Sequence, residues 1–102
     1  MATEIDRNTL RFKSVNFRGL KPGPKLIVTG AVHGNEICGT QAITRVLAEV
    51  NSGKLPIVAG EVTFVPVTNP LAYAKGERAG DRNLNRNLSP IPKPQDFEDL
   101  VA

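Results

Sequence analysis

The chain has 102 residues, 40% of them hydrophobic, which suits one small domain with a real core. A net charge of +3 is too mild to argue for nucleic acid, and the one Tyr and four Phe form no basic-aromatic repeat for stacking on bases. No segment approaches the roughly 20 apolar residues a membrane helix needs, Met1 to Asp6 carries two acids and no apolar run, and the single cysteine, Cys38, excludes an intrachain disulfide framework. A non-membrane, cytoplasmic protein without a secretory leader is expected.

In chain order, Leu10 to Arg18 alternates as a strand does, with a phase slip near Ser14 that a bulge would explain. Lys21-Pro22-Gly23-Pro24 reads as a turn. Leu26 to Val32 is an apolar, β-branched run that predicts a strand buried on both sides. Gly30 and Gly34 flank its end, where the backbone must turn or come close to another group.

Glu36 to Val50 predicts a helix, because Ile43, Val46, Leu47 and Val50 follow the spacing of one buried stripe. Asn35 is the expected N-cap, which puts Glu36 in the first turn. Asn51-Ser52-Gly53 ends the helix. Val62 to Thr68 predicts a second buried strand, provided that Pro66 makes no ladder bond. Strand, helix and strand at these lengths make a βαβ unit, so a layered α/β fold follows. His33 and Asn69 follow the two strands and share the sheet edge where ligands gather in such folds.

Asn69 to Leu88 shows no periodicity and is polar, with Gly, Asn and Arg. Structureless loops of this length are usually functional or disordered. Residues 89–102 read as an extended linker, Ser89 to Pro94, followed by an acidic first helical turn from Gln95 to Leu100. No internal repeat or second domain is visible. Because the chain stops inside that nascent helix, residues 1–102 are expected to be the N-terminal portion of one longer catalytic domain. A piece of this kind leaves sheet edges unpaired, and self-association into a homo-oligomer is one expected consequence.

Two groups of residues carry chemistry. His33 and Glu36, three residues apart, can face one metal ion, since zinc accepts imidazole nitrogen and carboxylate oxygen. Alone, that spacing more often marks a surface pair. Cys38 is expected to be a small buried hydrophobe rather than a further ligand. The second group is Arg78, Asn83, Asn85 and Arg86. Arginine forks bind carboxylates, and a positive group can steady an oxyanion. The plainer reading is a solvated basic loop.

Together these boxes are more specific than either alone. Gly30-Ala31-Val32-His33-Gly34-Asn35-Glu36, Asn69-Pro70-Leu71-Ala72, Arg78 and Asn83-Leu84-Asn85-Arg86 occur in that order. This set resembles the succinylglutamate desuccinylase/aspartoacylase family of zinc-carboxypeptidase-like hydrolases over roughly residues 26–88. The family's D-L-N-R box is present with Asn83 in place of aspartate. The resemblance implies a layered α/β/α zinc-peptidase-like fold with a largely parallel or mixed sheet. It implies Zn2+ held by His33 and Glu36, and Arg78 polarising the scissile carbonyl. It implies Asn85 and Arg86 clamping the carboxylate of a small N-acyl amino acid substrate. The family's third zinc ligand, a histidine, and its glutamate general base lie further along than this chain reaches. Asn83 departs from the family pattern and is not counted in the site; Asp81 is a nearby carboxylate that could compensate for the lost one. A peptidase acting on C-termini and a non-catalytic anion-binding fragment remain alternatives.

Overall fold

The computed structural model describes residues 9–102, so the reading of Met1 to Asp6 lies outside the described residues. Three strands form one mixed sheet in the order β1-β3-β2: β1 (Val15–Arg18), β2 (Lys21–Thr29) and β3 (Ala59–Val65). Helix α1 (Cys38–Asn51) connects β2 to β3, which run parallel, while β1 runs antiparallel to β3. Two short helices follow, α2 (Pro70–Lys75) and α3 (Phe97–Val101). The expected βαβ unit and mixed sheet are present.

The core sits between the central strand and α1. Val62 and Phe64 of β3 meet Ile43 of α1, with Phe17, Val28, Val46, Leu47 and Ile57 packed around them. Alternation along β3 sends Val62 and Phe64 to the same face, and the predicted stripe on α1 lands on it. The Phe17 and Phe64 rings meet edge to face at 6.2 Å. Burying each such side chain contributes roughly 1.5–3 kcal/mol.

Several boundaries differ from the sequence reading. The alternating pattern from Leu10 yields a strand only from Val15. Lys21 to Pro24 is not a turn but the start of β2. Lys21 pairs with Ala59, and the register slips before Lys25, which absorbs two prolines that lack an N–H. The reversal falls at Gly19 instead, where an added Cβ would lie 2.4 Å from the Val58 and Ala59 backbone. Strand β2 ends at Thr29 rather than Val32, and it is not buried on both sides: Leu26 and Ile27 are 58% and 69% exposed. The reason is position. At the edge of the sheet, β2 has one neighbour, and Ile27 points away from the face that receives Val28 and α1.

Helix α1 begins later than its apolar pattern suggested. Ile37 is the N-cap, not Asn35, and no side chain caps it. Residues 33–36 form a turn closed by the Glu36 N–H donating to the His33 carbonyl, so Glu36 precedes the first helical turn. Cys38, at the helix start, is exposed rather than buried. Strand β3 ends at Val65, so Pro66 owes the ladder no hydrogen bond, and its carbonyl accepts from the Thr40 hydroxyl at 2.6 Å. The segment from Asn69 to Leu88 is not structureless. It contains α2, which is too short for periodicity to reveal but is built by Asn69 as N-cap and Pro70 in the first turn. The acidic turn near the end is α3, capped by Asp96, whose carboxylate accepts from the Asp99 N–H at 2.8 Å.

Candidate functional site

The C-terminal ends of β2 and β3 stay zipped beyond the strands. Gly30 N donates to Val65 O at 2.9 Å, Thr68 N and its hydroxyl both donate to Gly30 O at 2.8 Å, and Asn69 N donates to Ala31 O at 3.0 Å. His33 and Asn69 therefore leave the sheet from one edge, as their order in the sequence predicted. Ala31 is buried and held at φ 50°, a left-handed conformation that costs a non-glycine residue and clusters at functional sites. Gly34 is required by close packing: a Cβ there would lie 2.0 Å from the Ala72 carbonyl carbon in α2. Gly34 of the first box and Ala72 of the second thus let α2 pack directly against the backbone next to His33.

His33 is nearly buried, and both ring nitrogens are engaged. Nε2 lies 3.0 Å from Asn83 Oδ1, and Nδ1 lies 3.2 Å from Glu36 Oε2. The Asn85 backbone N–H also donates to Asn83 Oδ1 at 3.0 Å, which marks that atom as an acceptor and assigns the proton to Nε2. Nδ1 then faces a carboxylate oxygen. Two acceptors at that separation need a positive centre between them, a proton or a metal cation. Zinc bonds of about 2.0–2.1 Å at a tetrahedral angle place N and O about 3.3 Å apart, and the observed 3.2 Å matches this chord. These two donors fit a zinc ion. Among the described residues no group of three or more His, Cys, Asp and Glu side chains could hold a metal.

Arg78 approaches Glu36 from the segment that follows α2. Its Nη1 lies 3.9 Å from Glu36 Oε1, and both side chains are more than half exposed. Asn85 and Arg86 are exposed on the loop that carries Asn83, and the Arg86 guanidinium donates to the Asn85 carbonyl at 2.7 Å. No hydrogen bond among the described residues joins the Asn85 or Arg86 side chain to His33 or Glu36. Of the predicted residues, His33, Glu36 and Arg78 come together, while Asn85 and Arg86 lie on the loop that carries Asn83 and are tied to it through the Asn85 backbone N–H. Asn83, set aside on sequence, touches His33 directly. The substitution of aspartate by asparagine drew attention away from it, although its place in the box was a usable signal. The Asp81 carboxylate reaches toward α3, where its Oδ2 accepts from the Phe97 N–H at 2.8 Å.

Arg82 organises the loop that carries these residues. Its Nε donates to both Asp96 oxygens, and its Nη2 donates to Asp99 Oδ1 at 2.8 Å. The remaining donors satisfy the carbonyls of Asn83, Arg86 and Asn87. The Asp99 hydrogen bond is the main reason its guanidinium titrates above the usual arginine range. The Gln95 backbone N–H first, and Arg82 next, hold the Asp99 carboxyl below its usual range. The motif segment is therefore wound around a cation that stays charged.

The catalytic-domain profile of the succinylglutamate desuccinylase/aspartoacylase family matches residues 22–99. Among solved structures, the chain superposes with a TM-score of 0.71 on the product-bound ectoine utilization protein EutE (DoeB) from Ruegeria pomeroyi. Identity is 26%, over 86% of this chain and 26% of that one. An aspartoacylase family protein from Mesorhizobium loti shares the fold, with a TM-score of 0.68 and 23% identity over 95% of this chain and 36% of that one. The chain thus spans about a quarter to a third of these solved relatives. A search of curated proteins found no match. Most of the sequence, including every box described above, falls within the matched residues: the chain belongs to the succinylglutamate desuccinylase/aspartoacylase family.

Proposed function

We propose that this chain carries the N-terminal, metal-binding part of a zinc-dependent amidohydrolase that cleaves the amide bond of a small N-acyl amino acid. The observation that carries the reading is the 3.2 Å approach of His33 Nδ1 to Glu36 Oε2, with Nε2 already bonded to Asn83. That arrangement leaves one lone pair and one carboxylate aimed at the same point. Family membership and a relative solved with product bound support a small-molecule substrate.

Zinc, when bound, supplies Lewis acidity and a bound water that ionises near neutral pH. His33 and Glu36 would hold it. Asn83 keeps the His33 proton on Nε2, so that Nδ1 remains a ligand. Arg78, on a side chain more than half exposed beside Glu36, donates to the developing oxyanion of the amide carbonyl. Asn85 and Arg86 present a neutral donor and a planar fork for the substrate carboxylate. The lone exposed thiol of Cys38 suits a reducing, cytoplasmic setting.

The test is hydrolysis of N-acyl amino acids by the whole enzyme. Turnover should disappear on chelation and return with zinc. Metal occupancy should be lost in His33→Ala and in Glu36→Ala, and Arg86→Ala should mainly raise KM. The 102 residues alone should show no deacylase activity. Turnover indifferent to chelators, or activity confined to peptide C-termini, would contradict the reading.

A further inference from the structure

Glu98 has no solvent exposure at all, and among the described residues no side-chain cation is bonded to it. Its partners are all hydrogen-bond donors of the chain. Oε1 accepts from Asn69 Nδ2 at 3.1 Å, Gly80 N at 2.9 Å and Asp81 N at 3.0 Å. Oε2 accepts from Asp81 N and Arg82 N, each at 3.2 Å. Three consecutive backbone amides thus converge on one carboxylate, the arrangement that backbone nests use for anions. The contact is close enough to dictate sequence: a Cβ on Gly80 would lie 2.7 Å from Glu98 Oε1 and 2.8 Å from Leu71 Cδ2.

The nest lies on a continuous path to the site. Asn69 leaves the end of β3 and caps α2 through Oδ1, which accepts from Ala72 N at 3.2 Å. Its amide nitrogen reaches Glu98, Glu98 gathers residues 80–82, and the next residue, Asn83, meets His33. Arg82 ties residues 83–87 to α3 but makes no bond to the sheet edge. Among the described residues, Glu98 is the side chain whose hydrogen bonds join the loop to Asn69.

We propose that Glu98 is the positioning residue of the metal site: by gathering the amides of Gly80, Asp81 and Arg82 against Asn69, it sets where Asn83 meets the His33 ring. The proposal rests on the functional reading given above for its purpose, but its test needs no metal and no turnover.

Glu98→Gln keeps the shape and reverses the polarity of one terminal group. Wherever the new amide nitrogen sits, it confronts backbone N–H donors rather than accepting from them. The experiment is hydrogen exchange by NMR on the 102-residue chain, with the His33 ring followed in parallel through its Nε2–H resonance. In the variant, the amides of Gly80, Asp81 and Arg82 should exchange on the order of tenfold to a hundredfold faster, the cost of leaving buried donors unpaired. The His33 Nε2–H signal should shift or disappear, while the amides of Val62 and Phe64 keep their protection. Unchanged loop amides, or an unchanged His33 signal beside a loosened loop, would overturn the proposal. So would equal loss of protection in the sheet, which is what a merely structural role predicts. If the variant does not fold, the unmodified chain decides. Gly80, Asp81 and Arg82 belong to no helix or strand, so slow exchange there supports the nest and random-coil exchange overturns it. A chain that shows this pattern but takes up no zinc loses the functional reading and keeps this one.

Discussion

The sheet half of the molecule and the motif-bearing half are held by different kinds of force. Around β3, the contacts are apolar: Ile43, Val62 and Phe64 with their neighbours from β1, β2 and α1. Around the loop, Leu71, Leu84 and Phe97 are buried, but the backbone is placed by Glu98, by Arg82 between Asp96 and Asp99, and by the Asn69 cap. Apolar packing is strong and non-directional, so it can build a sheet whose edge later receives a site. Hydrogen bonds are weaker in net terms but fix position and angle. The segment that must hold Asn83 within reach of one imidazole nitrogen relies on the second kind.

The largest expected effect comes from breaking the apolar half. Phe64→Ala should cost about 3–5 kcal/mol, a large share of the roughly 5–15 kcal/mol a domain has, and thermal melting should show both halves lost together. Loss of the loop alone on melting would mean that the halves are independent. Arg82→Met should open the other half locally, at about 1–3 kcal/mol for the unpaired carbonyls and carboxylates. Trypsin should then cut after Arg86 well before the sheet unfolds, whereas resistance equal to the parent chain would show that α3 holds the loop without Arg82. Asn83→Leu should leave the fold standing and weaken zinc uptake about 10–100-fold, the usual cost of removing a partner that orients a ligand, as titration with zinc would read.

Acid should separate the halves without mutation. The folded-state pKa of Asp99 is depressed, so its contribution is present above its usual value of 3.8 and is lost as pH falls below that, through the depressed value. Arg82 stays charged throughout. The loop amides should therefore gain exchange below about pH 3.8 while Val62 and Phe64 stay protected. Simultaneous loss would dissolve the distinction. The smallest effect is expected at Cys38: being exposed at the start of α1, Cys38→Ser should shift stability by no more than about 0.5 kcal/mol.

The same contrast explains what could be read from the sequence. Periodicity reports apolar packing, so the stripe of Ile43, Val46 and Leu47, the strand around Val62 and Phe64, and the βαβ order were legible. Edge position is not written in a strand's composition, which is why Leu26 and Ile27 suggested burial and are exposed. The boxes announced His33, Glu36 and Arg78 through residue type and order. Polar placement left fainter marks. Asn83 looked like a defect, α2 was too short for a period, and Glu98 read as an ordinary acid in a helical first turn. Its role depends on three amides that arrive from 16 to 18 residues away, and no local pattern records that convergence.

Cobalt titration of the 102-residue chain, read by its visible absorption, tests the central claim most directly. The account predicts weak, saturable binding of one ion per chain that competes with zinc and is lost in both His33→Ala and Glu36→Ala. Uptake that survives either substitution, or no uptake by the folded parent chain, would contradict the claim that one imidazole and one carboxylate share a metal at this sheet edge.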